Sequence, residues 1–103
     1  MAEFVKVASA SSIPPGEIAI VELGDEEIAV ANVDGSFVAF QNDCTHRGGP
    51  LGEGILTGDV VECPFHAGTF NVRTGEALGA PAEDALKTFT VEVDGDDIKV
   101  KPA

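Results

Sequence analysis

The chain has no tyrosine and no tryptophan, a single methionine, and six lysines and arginines against eighteen aspartates and glutamates. Without tyrosine, no phenolic hydroxyl is available to any site. The formal charge of −12 excludes polyanions as partners, because six cations cannot outweigh eighteen anions at a phosphate backbone or an anionic bilayer. Nucleic acid and membrane are therefore not expected as partners. No apolar run approaches the roughly eighteen residues that span a bilayer, and residues 1–7 lack a basic start followed by an apolar stretch. The expectation is a cytoplasmic, unanchored protein. A length of 103 residues with 44% hydrophobic content fits one globular domain, 1–103, with a single core. The surplus carboxylates serve solubility, and they also suit steering towards basic docking patches, an effect that fades with salt.

Cysteine and histidine are as scarce, two of each, and all four fall in one stretch: Cys44 and His46 as C-x-H, Cys63 and His66 as C-x-x-H. Both thiols sit in the stretch, so none is spare for anything else, in keeping with a reducing compartment. Each pair is too close in sequence to be anything but a short ligand-presenting loop. Two such loops side by side offer two sulfurs and two nitrogens to one centre. A zinc ion would be held tetrahedrally by Cys2His2. A [2Fe–2S] cluster with mixed ligation would take both cysteines on one iron and both histidines on the other. Zinc modules usually draw like ligands from each loop. Here each loop gives one cysteine and one histidine, so facing loops could sort sulfurs to an inner iron and nitrogens to an outer one. That favours the cluster, with a structural Cys2His2 zinc module as the alternative. On either reading the metal ligands are Cys44, His46, Cys63 and His66.

The rest of the chain reads as strands and turns. Residues 3–8 form a short edge strand, followed by a breaker-rich loop over 9–16 containing Ile13-Pro14-Pro15-Gly16. Residues 17–23 and 27–33 make a hairpin around Gly24-Asp25-Glu26, and Asp34-Gly35 turns the chain into a strand over 36–41. Gly48, Gly49, Gly52 and Gly54 crowd the stretch after the first pair, where glycine lets backbone approach a centre closely and offer N–H groups to sulfur. A short strand over 59–62 leads into the second pair, residues 67–73 lead away, and Thr74-Gly75 turns the chain. Gly79-Ala80-Pro81-Ala82 breaks regular structure. Residues 85–93 alternate, with Phe89, Val91 and Val93 on the buried face, and a last hairpin through Asp94-Gly95-Asp96 turns Ile98 and Val100 inward and Lys99 and Lys101 outward. No segment carries a helical period, so the fold class is all-β. Two stacked antiparallel sheets are expected, with residues of about 42–80 as a smaller inserted lobe.

Cys44-Thr45-His46 followed by Gly48, Gly49, Pro50 and Leu51, and Cys63-Pro64-Phe65-His66 followed by Gly68, resemble the Rieske iron–sulfur motif. Over nearly the whole length, the chain is similar to the small Rieske-type ferredoxins of bacterial aromatic-ring-hydroxylating oxygenase systems. The resemblance implies a Rieske-like antiparallel β-sandwich with an inserted cluster-binding lobe and one [2Fe–2S] cluster on Cys44, His46, Cys63 and His66. It implies no catalytic residues and no enzyme. The implied role is a soluble, monomeric one-electron carrier between an NAD(P)H-dependent flavoprotein ferredoxin reductase and a terminal ring-hydroxylating oxygenase. Pro81 matches a proline-containing third loop that covers the cluster. Pro64 and Phe65 shield it, and Arg47 is a docking contact or a solvated side chain. His46 and His66 tune as well as hold: two neutral imidazoles in place of thiolates lower the electrostatic cost of adding an electron, so such centres lie well above the roughly −400 mV of plant-type clusters.

Departures from the pattern are informative. Respiratory members of the family carry an extra cysteine in each loop, joined as a disulfide; Gly49 and Phe65 stand at those positions, so that bridge cannot form. High-potential members place serine and tyrosine hydroxyls against the cluster sulfurs, where this chain has Gly68 and Phe70. Hydrogen bonds to sulfur stabilise the more negative, reduced state, so their lack places this chain near the low end of the family range of about −150 to +300 mV. An oxygenase would need two further histidines and a carboxylate for a non-haem iron, and no histidine remains. The small subunit of a nitrite reductase, of related fold, is the alternative carrier. Introducing both hydroxyls, Gly68→Ser with Phe70→Tyr, should raise the midpoint potential in a redox titration followed by electron paramagnetic resonance. An unchanged or lower potential in the folded, cluster-loaded double variant would show that the missing donors do not set the value.

Overall fold

The computed structural model describes residues 4–42, 51–63, 68–79 and 85–101. Within them the chain runs β1 (Val5–Ser9), a 3-10 turn (Ala10–Ser12), β2 (Ile18–Leu23), β3 (Glu26–Val33), β4 (Ser36–Gln41), a second 3-10 turn (Leu51–Glu53), β5 (Ile55–Thr57), β6 (Val60–Glu62), β7 (Thr69–Asn71), β8 (Ala77–Gly79), β9 (Thr88–Asp94) and β10 (Asp97–Lys101). Every strand pairing is antiparallel, and no α-helix occurs among the described residues. The all-β expectation holds.

Turn chemistry sets the registers. Val33 pairs with Ser36, which leaves Asp34-Gly35 as a two-residue loop with φ of 53° and 93°, the two positive values that a type I′ hairpin requires. Asn32, buried just before it, uses both ends of its amide: its Oδ1 accepts the Gly35 N–H at 2.7 Å and its Nδ2 donates to the Ile13 carbonyl at 2.7 Å, pinning the loop that precedes β2. The later Val93-Asp94-Gly95 carries the same letters in a different frame. There Asp94 pairs with Asp97, so the loop is Gly95-Asp96 and Gly95 takes the positive φ of 62°.

The strands form two sheets, β1-β10-β9-β4-β3-β2 and β5-β6-β7-β8. In the larger, β4 and β9 meet through Ala39 with Phe89 and Phe40 with Thr88, a short seam along which the sheet folds over until its edges β1 and β2 approach. Two three-stranded halves therefore face each other, with Ile13, Leu23, Ile28, Val30, Ala39, Phe89, Ile98 and Val100 between them. The small sheet covers the outer face of β3 and β4. Its Val61 and Phe70 pack with Val72 just after β7 and with Leu51, Cys63 and Leu86 against Ala29, Ala31, Val33 and Phe40. β3 is thus buried on both sides, which is why it reads as a nearly continuous apolar run.

Several boundaries differ from the sequence reading. β5 and β8 were not anticipated: three residues are too few to show alternation, and pairing with β6 and β7 defines them. β9 begins at Thr88 rather than at 85, with Leu86 buried ahead of it in irregular chain. Phe89 faces the core as expected, but Val93 is 45% exposed. Alternation tells which face turns inward, not how far the opposing layer extends.

Gly54 gives this packing a sharp test. A Cβ there would overlap the Glu62 carbonyl and lie 3.1 Å from the Leu51 carbonyl, backbone atoms that cannot swing aside. Gly54→Ala should lower stability by about 3 kcal/mol, an overpacking cost. Gly24→Ala, in open space at a φ of 65°, should cost about 1–2 kcal/mol from its backbone conformation alone. Thermal unfolding of the two variants separates these effects, and a Gly54 variant no worse than the Gly24 variant would mean that β5 and β6 do not approach this closely.

Candidate metal centre

Of the four expected ligands, Cys63 lies among the described residues; Cys44, His46 and His66 lie outside them, as do Arg47, Gly48, Gly49, Pro50, Pro64, Phe65 and Pro81. Cys63 follows β6 directly. Its side chain is 1% exposed and belongs to the core between the sheets, its thiol is free, and its backbone N–H donates to the Gly68 carbonyl at 2.8 Å. The backbone is therefore satisfied without the sulfur. A buried soft donor remains for a metal.

The described flanks show how the fold brings the roots of the two candidate ligand segments together. The bond from Cys63 to Gly68 closes the base of segment 64–67. The Leu51 N–H donates to the Asn42 carbonyl at 2.6 Å and closes the base of segment 43–50. Pairing aligns Ile55, Glu62, Thr69 and Gly79 in one row across the small sheet. Gly54, Cys63 and Gly68 thus stand just beyond that row, at one end of the sheet, and Gly54 abuts Glu62. Donors of one cysteine and one histidine from each of two segments rooted this closely fit a single centre with mixed sulfur and nitrogen ligation.

Two amides that the sequence reading passed over do much of this anchoring. Gln41 donates its N–H to the Lys87 carbonyl at 2.9 Å and accepts the Lys87 N–H on Oε1 at 2.6 Å, tying the end of β4 to the chain that follows segment 80–84. Asn42 is 3% exposed and its Oδ1 accepts the Gly52 N–H at 2.8 Å. The available signal was their place: two carboxamides in succession at the end of an apolar strand, immediately ahead of a ligand pair.

The glycine reading needs correction at two positions. Gly52 spends its N–H on Asn42 and Gly54 spends its own on the Leu51 carbonyl at 3.0 Å, so neither offers it to sulfur. Both are small for packing reasons instead, since a Cβ at Gly52 would overlap the Ile20 side chain and lie 2.9 Å from Asn42 Oδ1. Gly68 and Phe70 flank the other ligand segment, Phe70 fully buried against the inter-sheet core.

Charge is unevenly spent. Lys6, Arg73, Lys87 and Lys99 each lie within 4.0 Å of a carboxylate, in exposed pairs that add little stability. Glu22 stands directly across from Glu27 in the β2–β3 hairpin, with Asp25 in the turn. Like charges so placed repel. Because Ile28 pairs with Gln41, this acidic hairpin end lies beside the end of β4, where segment 43–50 departs.

Comparisons with known proteins agree with this architecture. The chain is 46% identical over 95 residues to the ferredoxin component of biphenyl 2,3-dioxygenase from Rhodococcus jostii (strain RHA1), covering 92% of this chain and 89% of the relative. Among solved structures, a chain of the complex of reduced oxygenase and oxidized ferredoxin in carbazole 1,9a-dioxygenase matches with a TM-score of 0.89 and 42% identity, covering 95% of this chain and 92% of that one. The ferredoxin of carbazole 1,9a-dioxygenase from Nocardioides aromaticivorans IC177 matches with a TM-score of 0.93 and 31% identity, over 97% of this chain and 98% of that one. The family model for the Rieske [2Fe-2S] domain matches residues 3–90, and the chain belongs to that family.

Proposed function

We propose that this protein is the ferredoxin component of an aromatic-ring-hydroxylating dioxygenase system, carrying single electrons to a terminal oxygenase and performing no catalysis itself. The observation that carries this reading is the match to ferredoxin components over nearly the full length of both chains. In our reading the domain spans 1–103 with 42–80 as its cluster lobe, and Cys44, His46, Cys63 and His66 hold one Rieske-type [2Fe–2S] cluster. When bound, that cluster supplies a one-electron couple.

The chain's own residues do the rest. Cys63, buried between the sheets, keeps its side of the centre dry. The backbone bonds at Asn42–Leu51 and Cys63–Gly68 hold the roots of both ligand segments fixed, so little reorganisation accompanies a change in charge. His46 and His66 leave the second ring nitrogen of each imidazole for solvent or a partner. The acidic end of the β2–β3 hairpin, beside the root of the first segment, would steer that end of the molecule towards a basic surface. We assign the electron source to an NAD(P)H-dependent flavoprotein reductase, and place the protein in the cytoplasm as a monomer. Among the described residues no helix is long and apolar enough to cross a membrane.

The test is reconstitution. Purified protein should be brown, give a rhombic electron paramagnetic resonance signal on reduction, and titrate near the bottom of the Rieske range. Added to a reductase and a ring-hydroxylating oxygenase, it should be required for product formation, and the rate should fall as salt rises. Replacing any of Cys44, His46, Cys63 or His66 by alanine should abolish the signal. A colourless protein containing zinc would defeat this reading, and permanent association with one large subunit would favour a nitrite-reductase small subunit.

A further inference from the structure

The two Val-Asp-Gly turns share their letters but not their chemistry. An Asp-Gly step is a place where a chain can rearrange. The Gly nitrogen attacks the Asp side-chain carboxyl, the N–Cγ bond forms as water leaves, and a five-membered succinimide results. Water then opens the ring by breaking the bond between the nitrogen and the α-carbonyl carbon. The main chain now runs through Cβ and Cγ, the old α-carbonyl becomes a free carboxylate, and the residue is isoaspartate, with no atom gained or lost overall. Glycine has no Cβ to obstruct the ring. What decides the reaction is whether the Gly nitrogen is free to turn towards the carboxyl.

Both turns are exposed, so exposure does not separate them. Hydrogen bonding does. Gly35 is the second residue of its loop, and its N–H is held at 2.7 Å by Oδ1 of Asn32, a 5% exposed side chain whose Nδ2 is fixed on the Ile13 carbonyl. Turning the Gly35 nitrogen towards Asp34 breaks that bond and leaves a buried oxygen unpaired. In the β9–β10 loop the frame is shifted by one residue. Gly95 comes first, just after Asp94 of the pair that closes the hairpin, and its N–H has no acceptor among the described residues. A Cβ placed on it would meet nothing within 4 Å. Its neighbours are engaged: Asp96 accepts the Ala10 N–H at 2.7 Å on its carbonyl, and the Ser11 N–H at 2.8 Å and hydroxyl at 3.1 Å on its carboxylate. Lys99 Nζ lies 3.4 Å from Asp94 Oδ2, but with that side chain 72% exposed the pair is too weak to hold the carboxyl still. None of these contacts engages the Gly95 nitrogen.

We propose that Asp94-Gly95 is a site of spontaneous isoaspartate formation, and that Asn32 protects Asp34-Gly35 from the same reaction. The modification keeps the charge and adds one atom to the main chain in the turn between β9 and β10. β10 lies between β9 and β1, so the added atom bears on the strand that carries Ile98 and Val100 into the core.

The test is ageing of the cluster-loaded protein in mildly acidic buffer, followed by proteolytic mapping in which isoaspartyl peptides are told from aspartyl ones by retention and electron-transfer fragmentation. The peptide containing Asp94 should convert several-fold faster than the one containing Asp34. In the chain unfolded in urea the two sites, both Val-Asp-Gly, should convert at similar rates. Asp94→Glu, whose longer side chain closes no five-membered ring, should lose the signal at 94 and leave Asp34 as slow as before. Asn32→Ala should speed conversion at Asp34 by about fivefold, the worth of one hydrogen bond. Equal or reversed rates in the folded protein, no conversion at either site, or the same bias in urea would overturn the proposal. An unchanged Asp34 rate in folded Asn32→Ala would overturn the protective role, and if that variant fails to fold, the wild-type comparison of folded with unfolded chain still decides.

Discussion

Burial of β3 on both faces is the constraint on which the rest of the molecule depends. Its even-numbered residues, Ile28 and Val30, close the interior of the folded-over large sheet, and its odd-numbered ones, Ala29, Ala31 and Val33, support the small sheet. Two alanines on the outer side let a second layer approach closely. A strand buried on both sides cannot slip by one residue without exchanging the two cores, so the position of the small sheet is fixed relative to the large one. That fixes where the ligand segments begin, because β4 pairs with β3 in register and hands the chain to segment 43–50.

Short closures complete this fixed frame. Each ligand segment starts and ends on residues joined by a backbone hydrogen bond, and the two roots meet where Gly54 touches Glu62. The energetic weight falls on buried amides and on missing Cβ atoms, not on ion pairs. The ion pairs lie at the surface, where screening leaves each worth less than about 1 kcal/mol. The proposed electron-carrying role gains from this division. Charge entering the centre meets groups already held in place, while the exposed carboxylates remain available to bias encounters.

The candidate ligand set could be named from the sequence because its chemistry depends on residue identity. Two cysteines and two histidines in C-x-H and C-x-x-H pairs define a donor set whatever the backbone does, and the absence of tyrosine is likewise absolute. Turns with Asp-Gly and Gly-Asp were legible for a related reason, since positive φ is cheap only for a few residues. The β5 and β8 strands were hidden because three-residue strands carry no period of their own. Gly52 and Gly54 were misread because a glycine in sequence looks the same whether it makes room for a cluster, for Ile20 or for a neighbouring carbonyl.

The sequence by itself determined the candidate ligand set, the strand-rich class and the acidic surplus, all of which are properties of residue type and local spacing. Only the tertiary structure decided that Gln41 and Asn42 anchor the chain around the centre and that Cys63 is sealed between two sheets. It also decided that the acidic hairpin end lies beside the root of the first ligand segment. Those facts depend on pairings between residues far apart in the chain, such as Gln41 with Lys87, which no local pattern encodes because it is burial of the shared core that selects them.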